Sequence, residues 1–444
     1  MSERKGFVFF VSGKLTGRSG HSLRHFIYKE EVVLSVVGSA PVIAKIEKVH
    51  LVAFVPHSLD DEDAGVIKRE LPSAKIIKSP AMGVFNGKTF ISNYSSLTFF
   101  FLYHMLKTTE IWKERGLNLF ADISTGNNQI TFSMAEAFRY LEVFSHLSKI
   151  SLTETNSFQI AYSEPAIGNP KEALRVFVES FRVKGFPTLP LNYEGVESAG
   201  RELRKLPIRK EIADEILSLG KRAVLILTAV LKNIPLAIYL LGYDTPSEIE
   251  KILNMFIKEL EPTIGNSESP PLFIEENSKV LYSYSPEGIN FRKIIALILL
   301  IGFYYGISNL LKKQQVPNSP NSCENVDELL KKFGNIYSSI LGTENVNYRL
   351  LKKDIDRLKY KVISKFKKEK DSRMILDCFI AGETVDGEEK HKNSRPQLRN
   401  FFAHSGLLTN MMEFNLKNET IRYKETELPR IKNFLVQLAS DATR

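Results

Sequence analysis

Unbroken apolar runs alternate with longer amphipathic stretches along the first third of the chain. Gly6-Phe7-Val8-Phe9-Phe10-Val11 and His50-Leu51-Val52-Ala53-Phe54-Val55 are continuous and rich in β-formers, the pattern of strands buried on both faces. Lys75-Ile76-Ile77, Leu117 to Ile123 and Phe158 to Tyr162 read as three further strands. Between them, Ser92 to Arg115 and Gln129 to Leu147 have helical length and patterning. Strands alternating with helices predict a parallel, doubly wound, Rossmann-like sheet over residues 1–185.

The pattern changes after Pro187 to Pro190. Glu197 to Leu206, Arg209 to Leu231 and Thr245 to Leu260 read as helices. Thr245-Pro246-Ser247-Glu248 is a capping box with Pro at the first helical position, and Pro235 breaks what precedes it. Residues 190–265 are therefore expected to form a helical spacer, which could take a helix-turn-helix-like form. Nothing in that segment suggests catalysis.

Residues 272–444 are read as a third, helical domain, giving α/β plus all-α as the fold class. Its helices are predicted at Phe291 to Leu311, Val326 to Leu341, Glu344 to Lys370 and Leu428 to Ala439, with a linker at Gln314 to Ser322. A further helix is capped by Ser394 or Arg395 and stopped by Gly406. Glu413 to Lys424 alternates like a hairpin.

Composition narrows the class. A length of 444 residues suits two or three domains. The net charge of +9 favours a polyanionic partner without requiring one. Lys352 to Arg373 concentrates that charge, with ten Lys/Arg against four Asp/Glu. Such a run is ordinarily a solvated face, and its functional reading is an RNA backbone track. Tyr360 and Phe366 within it could stack on bases, although core packing is the simpler expectation for both. The two cysteines, Cys323 and Cys378, form no C-x-x-C pair. A reducing, cytoplasmic setting and no bound metal are expected. Met1 runs straight into a strand-like segment, so no signal peptide is expected. The longest apolar run, Ile294 to Ile307, is shorter than the roughly 20 residues that cross a bilayer, so it reads as a buried helix and no membrane partner is expected.

Candidate chemistry falls in two places. Ligands of doubly wound sheets bind beyond the carboxyl ends of the strands. The first strand is followed by Ser12-Gly13-Lys14-Leu15-Thr16-Gly17-Arg18, and the fourth by Ser124-Thr125-Gly126-Asn127-Asn128. Both loops are small, hydroxyl-rich and glycine-containing, which suits an anion approached by backbone N–H groups. The second opens a helix, whose N-terminus favours negative charge. The simpler reading of either loop is an ordinary strand-to-helix turn, with Ser124 or Thr125 as N-cap. No G-x-G-x-x-G follows a strand, which leaves a dinucleotide dehydrogenase unsupported. Gly83 to Thr89 imitates a phosphate loop but is one residue too short, and it reads as a turn.

The second place is Arg399-Asn400-Phe401-Phe402-Ala403-His404. Arg offers a permanently charged fork that matches a phosphate, and His is the side chain whose proton moves most readily near neutral pH. Asn400 and His404, spaced i,i+4, share a helix face. Arg399 lies about 140° round from His404, but its stem can curl toward the same groove. A motif this short also arises by chance, as a helix with a surface Arg and a packing His.

Asp122 to Asn128 resembles the signature loop of CARF domains, and Arg399-Asn400 to His404 resembles the R-x4-H motif of HEPN ribonucleases. Together, in this order, they resemble the CARF–HEPN effector ribonucleases of type III CRISPR defence. That resemblance implies a CARF domain at 1–185 and a HEPN domain within 272–444. It implies that cyclic oligoadenylate, with the tetra-adenylate ring expected, is the activator and contacts Ser12, Gly13, Lys14, Ser124, Thr125, Gly126, Asn127 and Asn128. It also implies that Arg399, Asn400 and His404 form half of a metal-independent endoribonuclease site. That site would be completed in a homodimer or higher homo-oligomer and would cleave single-stranded RNA by attack of its own 2′-hydroxyl. A ligand-sensing transcription regulator with a helical DNA-binding module is the main alternative. A third reading is a nucleotide-modifying α/β enzyme with its chemistry in the N-terminal clefts.

Overall fold

The molecule is described by a computed structural model, which covers every residue except 1–4, 14–22, 60, 125–127, 151–154, 166–171, 184–188, 266–270, 286, 343–344, 364–379, 382–393 and 442–444. It divides into two compact units. One comprises Met1–Phe186, Ser198–Glu215 and Leu253–Leu299, and the other Pro187–Glu197, Ile216–Ile252 and Leu300–Arg444. The division runs through residues 190–265 rather than around them.

The first unit is built on an eight-stranded sheet. Its centre is parallel: β9 (Ser157–Ser163), β8 (Asn118–Asp122), β1 (Gly6–Val11), β4 (His50–Pro56) and β5 (Lys75–Ser79), in that spatial order. These five are the strands the apolar runs predict. The sheet then continues beyond β9 through β10 (Leu174–Ser180), β2 (Arg24–Tyr28) and β3 (Glu31–Ser35). There β10 is antiparallel to β9 and β3 is antiparallel to β2. The expected parallel sheet is thus extended by a mixed edge, whose strands are only partly buried and carry apolar runs of only three residues.

Both faces of the parallel centre are covered, which is why its strands are apolar throughout. Val8, Phe10, Leu51, Ala53 and Val55 face α1 (Ala40–Glu47) and α2 (Asp61–Glu70). Phe9 and Phe54 stack on the other face, where Phe54 meets Phe101 edge-on at 4.8 Å between ring centroids. Phe101 belongs to α3 (Tyr94–Thr109), which packs on α4 (Asn128–Ser148). Asn93 starts α3 as one half of a reciprocal capping box with Ser96.

A second, four-stranded sheet follows the order β11 (Phe273–Glu276), β12 (Lys279–Tyr282), β7 (Lys88–Ile91), β6 (Gly83–Phe85). It resolves the phosphate-loop imitation. Asn86 and Gly87, with φ of 49° and 76°, turn the β6–β7 hairpin, the backbone that two-residue hairpin loops demand.

The second unit is mainly helical. It contains α5 (Tyr193–Leu203) in part, the larger part of α6 (Lys210–Leu231), α7 (Leu236–Leu241), α10 (Val326–Leu341), α11 (Val346–Arg357), α12 (Ser394–Ala403) and α13 (Leu428–Asp441). Thr245 and Glu248 form the expected reciprocal cap at the start of α8 (Pro246–Ile264). The hairpin expected at 413–424 is present as β15 (Met412–Asn415) and β16 (Thr420–Tyr423). With β13 (Glu324–Asn325) and β14 (Ile380–Ala381) it forms a four-stranded sheet, so the all-α label for this part is too strict. Beyond α11 the chain widens into a π-helical stretch, Leu358–Ile363. The basic run is therefore not one straight helix, and Tyr360, expected in the core, is 78% exposed.

The long apolar helix, α9 (Phe291–Lys313), is long and apolar enough to cross a membrane, yet 83% of its most apolar window is buried within the protein.

At Gly6 the sheet closes so tightly that a Cβ would fall on Val49 Cγ1 and 2.5 Å from the Asn118 carbonyl oxygen. One of those neighbours is backbone and cannot rotate away. Gly6→Ala should therefore lower the unfolding free energy by about 1–3 kcal/mol. Chemical denaturation measures this, and an unchanged midpoint would contradict the packing described.

Candidate functional site

The strand order places one candidate site. From β1 the chain proceeds to β4 and β5 on one side, then returns to β8 and β9 on the other. The order reverses between β1 and β8, and open α/β sheets bind ligands beyond the carboxyl ends of the strands at such a reversal. Phe10 pairs with Asp122 across these strands, so the Ser12–Gly13 and Ser124 loops leave the sheet side by side.

A buried carboxylate organises this end. Asp122 is fully buried. Its Oδ1 accepts the Ser124 N–H at 2.9 Å and its Oδ2 accepts the Ser39 hydroxyl at 2.7 Å. Burial pushes the Asp122 carboxyl up, against the opposing pull of donors from Ser124, Ser39 and the Ala40 N–H at the start of α1. The Ser124 hydroxyl lies 2.7 Å from the Ser39 hydroxyl and accepts the Ser163 N–H at 2.8 Å. Ser124 thus ties β8 to α1 and β9. The described part of α4 starts at Asn128. The Ser124 hydroxyl is engaged internally.

The other residues of this set are placed as follows. Ser12 is buried, with its hydroxyl donating to the Gly13 carbonyl at 3.2 Å. Gly13 is half-buried and Asn128 is exposed. Lys14, Thr125, Gly126 and Asn127 lie outside the described residues. Asp122 and Ser39 are the organising residues that sequence reading passed over. Asp122 stood within the quoted motif, but nothing in the sequence links it to Ser39, 83 positions away.

The second candidate site is the end of α12. Arg399 and Asn400 are exposed on this helix, while Phe401 turns inward against Tyr423 and Phe434, with ring centroids 6.2 and 5.5 Å away. His404 follows the last helical residue, its N–H donating to the Asn400 carbonyl at 3.2 Å. Its side chain is about one-third exposed, at 34%. Arg399, Asn400 and His404 therefore all reach solvent from one helix end, while the aromatic between them anchors it.

How α12 stops fixes where His404 sits. Ser405 takes φ of 51° and Gly406 φ of 72°, and the Gly406 N–H donates to the Phe401 carbonyl at 2.8 Å. This is a Schellman termination with Ser405 in the left-handed position. A Cβ on Gly406 would lie 2.5 Å from Ile234 Cγ2 and 2.7 Å from the Tyr423 hydroxyl. Glycine is needed there for closeness as well as for φ. The α6 helix ends the same way. Asn233 takes φ of 59°, and the Ile234 N–H donates to the Ala229 carbonyl at 2.7 Å.

The two terminations meet. Asn233 Nδ2 donates to the Ser405 hydroxyl at 2.9 Å, and that hydroxyl donates to Asp354 Oδ2 at 2.7 Å. The other carboxylate oxygen, Asp354 Oδ1, lies 3.5 Å from His404 Nδ1. Asp354 comes from α11 and is 6% exposed. Sequence reading missed Asp354, Ser405 and Asn233 as a group. Asp354 was hidden in a run of lysines and arginines, and Asn233 belongs to the segment read as a spacer.

Asp122→Ala would leave the Ser39 hydroxyl and the Ser124 N–H without their buried acceptor. It should cost about 1–3 kcal/mol of stability, read by thermal or chemical denaturation. An unchanged midpoint would contradict an organising role for this carboxylate.

No curated protein sequence matches the chain. Residues 344–427 match the family model described as CRISPR system endoribonuclease Csx1, HEPN domain. The matched span holds Asp354, Arg399, Asn400, His404 and Ser405, and it excludes the large sheet and Asn233. This similarity supports a CRISPR-associated HEPN endoribonuclease, acting on RNA, with the end of α12 inside its HEPN region.

Proposed function

We propose that this protein is a cyclic-oligoadenylate-activated endoribonuclease of CRISPR antiviral defence, cleaving single-stranded RNA without a metal. The observation that carries the reading is the end of α12. An exposed Arg, an exposed Asn and a partly exposed His stand together, inside the span that matches a CRISPR endoribonuclease domain.

The chemistry follows from these side chains. The RNA 2′-oxygen attacks the adjacent phosphorus, and its proton passes to an imidazole. The bond from phosphorus to the 5′-oxygen breaks, and that oxygen takes up a proton from an imidazolium. The product carries a 2′,3′-cyclic phosphate. Arg399 stabilises charge on the phosphoryl oxygens, and Asn400 orients the phosphate or its neighbours. One chain offers one Arg and one His in this motif, too few for a separate base and acid. Two copies related by a two-fold axis would supply both.

The sensor reading rests on the switch-point loops of the large sheet, as a CARF domain over 1–185. Two subunits presenting the same loops suit a cyclic ligand with an even number of repeats. Gly13 and Asn128 would offer backbone and side-chain donors to an anion. Asp122 and Ser124 would hold the loop rather than touch the ligand through the Ser124 hydroxyl. Activator binding would favour the productive pairing of the half-sites, which requires tighter binding to that state.

Cleavage of single-stranded RNA should rise at least about 100-fold on adding cyclic tetra-adenylate. His404→Ala and Arg399→Ala should each remove at least about 100-fold of that activity, within the range for loss of an acid–base or charge-stabilising group. Activator affinity should stay within about twofold, because substrate chemistry and activator capture use different residues. RNA cleavage assays and activator titrations read these. Full turnover by His404→Ala would refute the site, and activity indifferent to every cyclic oligoadenylate would refute the sensor.

A further inference from the structure

We infer that Asp354 is the positioning residue of the half-site. Held by Ser405 and Asn233, it keeps the His404 imidazole in the tautomer that leaves Nε2 open to the RNA. The inference rests on His404 acting on RNA as proposed above.

The donor and acceptor inventory fixes the direction of every bond. A carboxylate only accepts. The Ser405 hydroxyl has one proton, and it goes to Asp354 Oδ2 at 2.7 Å. The same hydroxyl must therefore accept from Asn233, which puts the Asn233 amide nitrogen toward it at 2.9 Å. That chain occupies Oδ2 and leaves Oδ1 facing His404 Nδ1. An imidazole nitrogen opposite an acceptor-only oxygen carries the ring proton. The neutral ring then presents a bare Nε2, which can accept the 2′-hydroxyl proton. At 3.5 Å the contact is long for a formed N–H···O bond. Catalytic pairs commonly tighten only with substrate bound, and the partly exposed ring has room to turn.

The backbone adds an independent argument. Position 405 is left-handed, where glycine is the usual occupant and other residues are strained by about 1–2 kcal/mol. A serine held there keeps a hydroxyl at a position where the fold alone would favour its removal. Asp354 itself is buried at the last turn of α11, just before that helix gives way to the π-helical stretch, so its carboxylate has few ways to move. An acidic group on an otherwise basic surface run has no reason to be inside unless it is bonded there.

The test uses full-length protein with saturating cyclic tetra-adenylate. Asp354→Asn keeps size and polarity but loses the carboxylate. It should lower kcat about 100-fold with KM for RNA within about twofold, as expected for an orienting partner. Ser405→Gly relieves the backbone and removes the hydroxyl, and it should lower kcat about tenfold. The double variant should be no slower than Asp354→Asn alone, because the two act as one chain. Added formate should restore part of the kcat of Asp354→Ala at unchanged melting temperature. Should Asp354→Asn fail to fold, Ser405→Gly carries the same test. Wild-type kcat in these variants while His404→Ala is inactive would overturn this inference and leave the half-site standing. Wild-type turnover by His404→Ala would remove both.

Discussion

The end of α12 depends on a hydrogen-bonded joint between two helix C-termini. Ser405 and Asn233 occupy the left-handed positions that end α12 and α6, and their side chains bond to each other and on to Asp354. Helix termination is usually a matter of stability alone. Here it also places His404, the residue next to the turn. Neighbouring helix residues point about 100° apart, so a stop shifted by one residue would put a different side chain beside the turn. Close packing of Gly406 against Ile234 and Tyr423 removes that freedom. The partly exposed imidazole is thus positioned by groups that are themselves buried.

The carboxyl end of the large sheet is organised by the same physics. A fully buried carboxylate, Asp122, gathers donors from a strand end, a loop and a helix start. Each donor lowers the cost of burying it. In return Ser124 is held at the reversal of strand order. In each unit a buried acidic group bonds a residue of the candidate site or its neighbour: Asp122 the Ser124 N–H, and Asp354 the Ser405 hydroxyl next to His404.

What the sequence made legible follows from this. The five parallel strands were readable because both faces are buried and their apolar runs are continuous. The strands from Arg24 to Ser35 and Leu174 to Ser180 were not, because an edge exposed on one face mixes Arg24, His25 and Glu179 with its apolar positions. Phe273–Glu276 is exposed along its whole length, so no burial pattern marked it. The Arg399–His404 spacing was visible because helical period is local. Its support was not, because Asp354 and Asn233 meet Ser405 across 51 and 172 positions. Only tertiary packing joins them. The reading of 190–265 as a spacer failed to anticipate Asn233 for the same reason.

The central claim is that this chain cuts RNA by using the RNA's own 2′-hydroxyl, with no metal. It is tested most directly on a single-stranded RNA and its fully 2′-O-methylated counterpart, each incubated with protein, cyclic tetra-adenylate and excess EDTA. The account predicts that the unmodified strand is cut to fragments ending in 2′,3′-cyclic phosphate and that the methylated strand stays intact. Cutting of the methylated strand, or loss of all cutting under EDTA, would contradict it.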